Sequence, residues 1–208
     1  MVKKRSDGYH DLETIFYPLP FYDALELIPH RPDQPEGFIK ISLEGTDIYF
    51  AGSGQEIPGT PKDNIVIRAC RRILQSKTVP SFQIHLHKKI PMGAGLGGGS
   101  ANGALMLHLL NEVFQLNNTT NDLLALAKEI GSDCPFFILN KPVLATGRGE
   151  KMEKINLDLS GYSLLLIYPG IHIPTASSFS AIQPAPSKES LPKLISSPVA
   201  EWKNRLTN

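Results

Sequence analysis

Five of the chain's 17 glycines fall between Gly93 and Gly99, inside the stretch PMGAGLGGGSANGA from Pro91 to Ala104. Without a Cβ, glycine lets the backbone approach an anion closely and take positive φ. A helix opening near Ser100 would aim unpaired N–H groups and the positive end of its dipole at the same point. The chemistry this suits is polyphosphate binding. A Walker loop does not fit, because an alignment from Gly93 puts Gly99 where its lysine must stand. A dinucleotide GxGxxG runs through Gly93, Gly95 and Gly98, but the helix that follows leads into NNTTND and another helix, not into a parallel strand ending in an acidic residue.

Other reactive side chains point to less. His85 and His87 share one face of a strand, yet no third ligand lies nearby, so they read as a polar strand face and not a metal site. Cys70 and Cys134 are far apart and lack metal or disulfide spacing, which fits a reducing, cytoplasmic compartment. Net charge is +1, with no basic surface for nucleic acid and no acidic tail, which leaves a small molecule as the expected partner. The longest apolar run, Leu164–Tyr168, is too short for a membrane helix of roughly 20 residues.

The elements that must carry the loop are legible from periodicity. Alternation predicts strands over Tyr22–Ile28, from Phe38 through Leu43, and over SFQIHLHKKI, where Phe82, Ile84 and Leu86 share a face just before Pro91. DNIVIRACRRILQS spaces Ile65, Ala69 and Ile73 as a helix capped by Asp63, with Arg68, Arg71 and Arg72 facing water. SANGALMLHLLNEVF is an amphipathic helix from about Ser100, so a strand feeds a glycine loop that opens a helix. A shorter helix follows, capped near Thr120 or Asn121 and stopped by Gly131. SDCPFFILN and KPVLATGRGEKMEKI read as a turn and two strands, and YSLLLIYPG, Tyr162–Gly170, as an apolar strand. The best boundary is near Ile155–Gly161, and prolines 184, 186, 192 and 198 interrupt helix in the tail.

Three segments together resemble the GHMP kinases: the glycine stretch, GSDCPFF (Gly131–Phe137) and DGYHDLETIF (Asp7–Phe16), with further similarity in PGIHIPTASSF (Pro169–Phe179). The resemblance implies an α+β GHMP kinase two-domain fold. Its parts would be a ribosomal protein S5 domain 2-like N-terminal domain over residues 1–156 and a partial ferredoxin-like C-terminal domain over 157–208. The branch it points to is an ATP-dependent small-molecule kinase of non-mevalonate isoprenoid precursor synthesis. Such an enzyme phosphorylates the 2-hydroxyl of a cytidyl diphosphate sugar alcohol, using ATP and Mg²⁺. A homodimer is compatible with this reading, and neither nucleic acid nor membrane is expected as a partner.

Residue by residue, the resemblance makes Asp133 the catalytic acceptor of the substrate hydroxyl's proton, with a helix or turn cap as its plainer role. Pro91, Gly93, Ala94, Gly95, Leu96, Gly97, Gly98, Gly99 and Ser100 would cradle the nucleotide, with Ser100 also at the Mg²⁺, and Asn64 would lie near the adenine or simply start a helix. Lys88 would lie near substrate and phosphates, and Lys89 beside it reads as a solvated charge. Asn102 would join Ser100 at the phosphates or simply be helix surface. Tyr9 would stack on the cytosine, His10 would hydrogen-bond its edge, Phe179 would close the stack, and Thr175 would add a polar contact.

The chain departs from the family pattern at both ends. Met1-Val2 stands where a first strand bearing a lysine and an asparagine should end, and Asn208 precedes a second glycine-rich segment. The expectation is therefore a chain truncated at both ends, with weakened binding or activity. Two other readings are a non-catalytic nucleotide-binding module and another GHMP small-molecule kinase, and GxGxxG alone keeps a dinucleotide oxidoreductase in view.

Overall fold

The computed structural model describes residues 2–6, 8, 10–29, 36–171, 183–184 and 189–205. In chain order the strands are β1 (Lys3–Lys4), β2 (His10–Phe16), β3 (Ala24–Pro29), β4 (Ile39–Leu43), β5 (Thr46–Gly54), β6 (Phe82–Lys88), β7 (Val143–Gly147) and β8 (Lys151–Lys154). The helices are α1 (Ile65–Leu74), α2 (Gly98–Val113), α3 (Thr120–Ile130), α4 (Cys134–Leu139) and α5 (Leu191–Ile195). They form two compact units, Leu19–Leu139 and the pair Met1–Pro18 with Asn140–Asn208. This division is discontinuous in sequence, unlike the 1–156 and 157–208 division read from motifs.

The Leu19–Leu139 unit is a sheet in the order β3-β6-β5-β4. β6 lies between an antiparallel neighbour, β3, and a parallel one, β5. A parallel pair needs a long crossover, and the chain between β5 and β6 supplies it with α1. The period-two pattern of β6 buries Phe82, Ile84 and Leu86 and leaves Gln83, His85 and His87 on the other face. Lys88 takes the next inward position and is buried. The inward residues of β4, β5 and β6 meet Val66, Ile67, Cys70 and Ile73 of α1, Leu107 and Leu110 of α2, and Leu123 and Ile130 of α3 in one core.

Several local expectations change. Asn64, not Asp63, caps α1, its side chain accepting from the Val66 amide at 2.9 Å, while Asp63 accepts from the Thr60 hydroxyl. Arg68 donates to the Ile130 carbonyl and Arg72 pairs with Glu129 at 2.5 Å, so two of the three arginines taken to face water tie α1 to α3. α3 starts one residue earlier than expected, behind a Thr119–Asp122 capping box. SDCPFFILN holds a helix, α4, with Pro135 in its first turn where a missing N–H costs nothing.

In the other unit the order is β1-β2-β7-β8, all antiparallel, with Phe16 opposite Val143 and Leu12 opposite Gly147. Tyr162–Gly170, expected as a strand, has no regular structure, and Leu165 is 84% exposed. A strand needs a ladder partner, and this segment has none among the described residues.

Candidate active site

β6 delivers its last residue, Lys88, directly beneath the first turn of α2. The connection between them, Lys89–Gly97, contains Gly93, Gly95 and Gly97 at φ of 70°, 71° and 67°, left-handed values that side chains other than glycine rarely adopt. Gly97 is the N-cap of α2, and no side chain caps that end, so the first amides of the helix remain available to a ligand. Helix α2 thus begins at Gly98, two residues before the Ser100 expected from periodicity.

These residues line a cleft of about 360 Å³. Its walls include Asn64 and Ile65 at the start of α1, Lys88, the loop through Gly99, then Ser100 and Asn102. The cleft joins Pro91, Gly93, Ala94, Gly95, Leu96, Gly97, Gly98, Gly99, Ser100, Asn64 and Lys88, all of the expected nucleotide residues and one of the substrate residues. Asn102, for which a place at the phosphates and a place on the helix surface were both open, is 5% exposed and lines the same space. A polar residue two positions into the helix from Ser100 was the available signal. Ile57, Pro58 and Asp63, from the β5–α1 connection, and Leu86 of β6 also line it, and none of them was read as a site residue.

The GSDCPFF segment meets this site from the side. A Cβ on Gly97 would fall 2.8 Å from the Phe137 ring, so α4 packs on the glycine that starts α2. Burial raises the Cys134 thiol, and a hydrogen bond with Ser100 partly opposes it. That contact ties the turn holding Asp133 to the first turn of α2. Asp133 keeps contact with solvent, yet desolvation by the packed turn pushes its carboxyl above the ordinary aspartate value. Asp133 does not line the cleft itself.

Lys88 is 2% exposed and its ammonium is paired with Asp23, whose side chain is 1% exposed. Burial alone would raise the Asp23 carboxyl, but the Ile90 amide, Lys88 and the Lys89 amide outweigh it and hold the group below its ordinary value. Lys89 is exposed and its ammonium lies 5.7 Å from the centre of the Phe21 ring. On the far face of the sheet His85 and His87 each lie 3.0 Å from the Ser53 hydroxyl. Of the residues expected on the cytidyl substrate, His10 opens β2 and is buried, whereas Tyr9, Thr175 and Phe179 lie outside the described residues.

Residues 64–141, which hold α1, the glycine loop and GSDCPFF, match the family GHMP kinases N terminal domain. The whole chain aligns with 4-diphosphocytidyl-2-C-methyl-D-erythritol kinase of Bacteroides fragilis (strain YCH46) at 44% identity and spans 72% of that relative's length. A kinase of the same name from Parabacteroides distasonis is 41% identical, again over the whole chain and 71% of its own length. Among solved structures, a 4-(cytidine 5'-diphospho)-2C-methyl-D-erythritol kinase superposes on 88% of this chain and 59% of its own, with TM-score 0.66 and 29% identity. A homoserine kinase from Cytophaga hutchinsonii, 19% identical, covers 88% of this chain and 56% of its own at TM-score 0.56, a likeness of fold. With 44% identity over the whole of this chain and 72% of the relative's length, and with residues 64–141 matching the family's N-terminal domain, the chain belongs to the 4-diphosphocytidyl-2-C-methyl-D-erythritol kinases of the GHMP kinase superfamily.

Proposed function

We infer that the chain transfers the γ-phosphoryl group of ATP to the 2-hydroxyl of 4-diphosphocytidyl-2-C-methyl-D-erythritol, in the cytoplasm, as a step of non-mevalonate isoprenoid precursor synthesis. The observation that carries this reading is the cleft, where left-handed glycines, the open N-terminus of α2 and Lys88 converge. Phosphoryl transfer asks mainly for positioning and for neutralisation of charge on the transferred group. The amides of Gly98, Gly99 and Ser100 offer both, because they are fixed before the nucleotide arrives.

In the reaction the substrate's 2-hydroxyl oxygen forms a bond to the γ-phosphorus, the bond from that phosphorus to the β–γ bridging oxygen breaks, and ADP leaves. Asp133 takes the hydroxyl proton. A carboxylate whose proton affinity is raised by desolvation is better matched to this task at neutral pH than an ordinary aspartate. Mg²⁺ binds few protein ligands where it meets nucleotide phosphates, so one hydroxyl in the cleft suits it, and Ser100 would hold it. When bound, it supplies further neutralisation of phosphate charge. Tyr9 and Phe179 would stack on the cytosine, a contact worth about 1–3 kcal/mol per base, with His10 and Thr175 on its polar edges. Among the described residues no helix is long and apolar enough to cross a membrane.

Asp133→Asn should lower kcat by roughly 10²–10⁴-fold while leaving AMP-PNP binding within twofold, as measured by coupled ADP release and calorimetry. The sign of the pH dependence follows from the raised carboxyl. Below its folded pKa Asp133 is protonated and cannot act as base, so kcat/KM of the unmodified chain falls as pH drops through a value above the usual aspartate figure of about 3.9. Asp133→Asn should lose that acid limb. Undiminished turnover in this variant would remove Asp133 from the chemistry, and phosphorylation of homoserine in place of the cytidyl substrate would overturn the substrate assignment.

A further inference from the structure

We propose that Asp23, which carries no motif and lies outside the cleft, is a positioning residue for phosphoryl transfer, acting through Lys88. The proposal rests on the kinase reading for what Lys88 does, and on geometry alone for how Lys88 is held. Asp23 immediately precedes β3, and its two carboxylate oxygens do different things. Oδ2 receives the Lys88 ammonium. Oδ1 accepts the backbone amides of both Lys89 and Ile90, at 2.7 Å each. One carboxylate thereby couples the charge at the end of β6 to the backbone that leads into the glycine loop.

Lys88 and Lys89 are also held from the opposite side, by Gln55, the residue that follows β5. The Gln55 amide donates to the Lys88 carbonyl at 2.8 Å, and the Gln55 side chain donates to the Lys89 carbonyl at 3.0 Å. Gly54, at φ 82°, passes so close that a Cβ there would lie 2.2 Å from the Lys88 carbonyl oxygen. With the Lys88 and Lys89 carbonyls tied to Gln55 and the Lys89 and Ile90 amides tied to Asp23, residues 88–90 have little freedom to shift. The first residue of the glycine loop therefore starts from a fixed point.

The ammonium also needs a counter-charge where it sits. A Cβ on Gly98 would fall 2.9 Å from Lys88 Nζ, so the cation lies against the first turn of α2, at the positive end of the helix dipole. A buried cation there is repelled unless an anion is near. In the resting chain that anion is Asp23, and in the complex the nucleotide's phosphates share the role. Asp23 does not line the cleft, which makes it a positioning residue and not a catalytic one.

Asp23→Asn keeps an acceptor for the two amides and removes the charge, whereas Asp23→Ala removes both. Each is compared with Lys88→Met and with the Asp23→Asn/Lys88→Met double variant in the full chain. If Asp23 acts through Lys88, either single change lowers kcat/KM by about tenfold or more, and the double variant stays within about threefold of Lys88→Met alone, since residues acting as a unit are not additive. Hydrogen exchange of the Lys89 and Ile90 amides should speed up at least about tenfold in Asp23→Ala and stay slow in Asp23→Asn, as local opening of those amides requires. Losses that multiply in the double variant, wild-type turnover in Asp23→Asn, or unchanged exchange in Asp23→Ala would each overturn the proposal. If the unmodified chain binds AMP-PNP without phosphorylating the cytidyl substrate, the kinase reading falls, and the cycle is then scored on AMP-PNP affinity. Should Asp23→Ala fail to fold, the Asn and Met cycle decides alone.

Discussion

The glycines of the loop do two different jobs. Gly95 needs only left-handed backbone, whereas Gly97 needs that and also room, because the Phe137 ring occupies the place of a Cβ. Gly97→Ala should therefore destabilise the chain by about 1–3 kcal/mol and weaken nucleotide binding, while Gly95→Ala, with open space around it, should show only the backbone cost. Thermal melts and AMP-PNP calorimetry on the two variants check this, and equal effects would remove Phe137 from the account. The place of the cleft was legible in the sequence, since a glycine cluster between a strand and a helix announces a loop that leaves backbone amides open. Lys88 was legible through the family resemblance, and the structure adds that it takes the next inward position after Phe82, Ile84 and Leu86. Asp23 was not, because its partners lie 65–67 residues away and nothing local marks a carboxylate that accepts distant amides.

At the scale of elements, helix starts decide which groups reach the cleft. Asn64 caps α1 and lines the cleft at once, so a single substitution confounds the two roles. Asn64→Ala should cost about 1 kcal/mol of stability, whereas Asn64→Asp and Asn64→Ser should restore it, Asp and Ser being comparable caps. If Asn64 also meets the adenine, AMP-PNP affinity will stay reduced in the restored variants, and full recovery would leave it a cap alone. Periodicity found α1, α2, α3 and β6, whose apolar spacing is regular. It missed α4, because six residues are too few for a 3.6-residue period to declare itself and Pro135 reads as a break until it is placed in a first turn. The expected strand at Tyr162–Gly170 failed for the opposite reason: an apolar run gives composition, but a strand is made by its partner.

For the whole molecule, the unit Leu19–Leu139 closes a core from its own strands and helices and holds every residue that lines the cleft. Residues 19–139 expressed alone should melt in one cooperative transition and bind AMP-PNP, as a domain with its own core is expected to do. A broad, non-cooperative melt would show that the remaining segments are needed for this fold. Phe16 and Val143, close to where this unit begins and ends, are paired across β2 and β7. In topological terms the unit that holds the glycine cleft is an insertion between two paired antiparallel strands. The strands that flank it in sequence are paired though 120 and more residues apart in the chain, so the pair can form only after the whole intervening unit has been synthesised. The consequence is an order of assembly: in a chain made from its N-terminus, β2 must wait for β7, and the residues of the glycine cleft are all made before that pair can form.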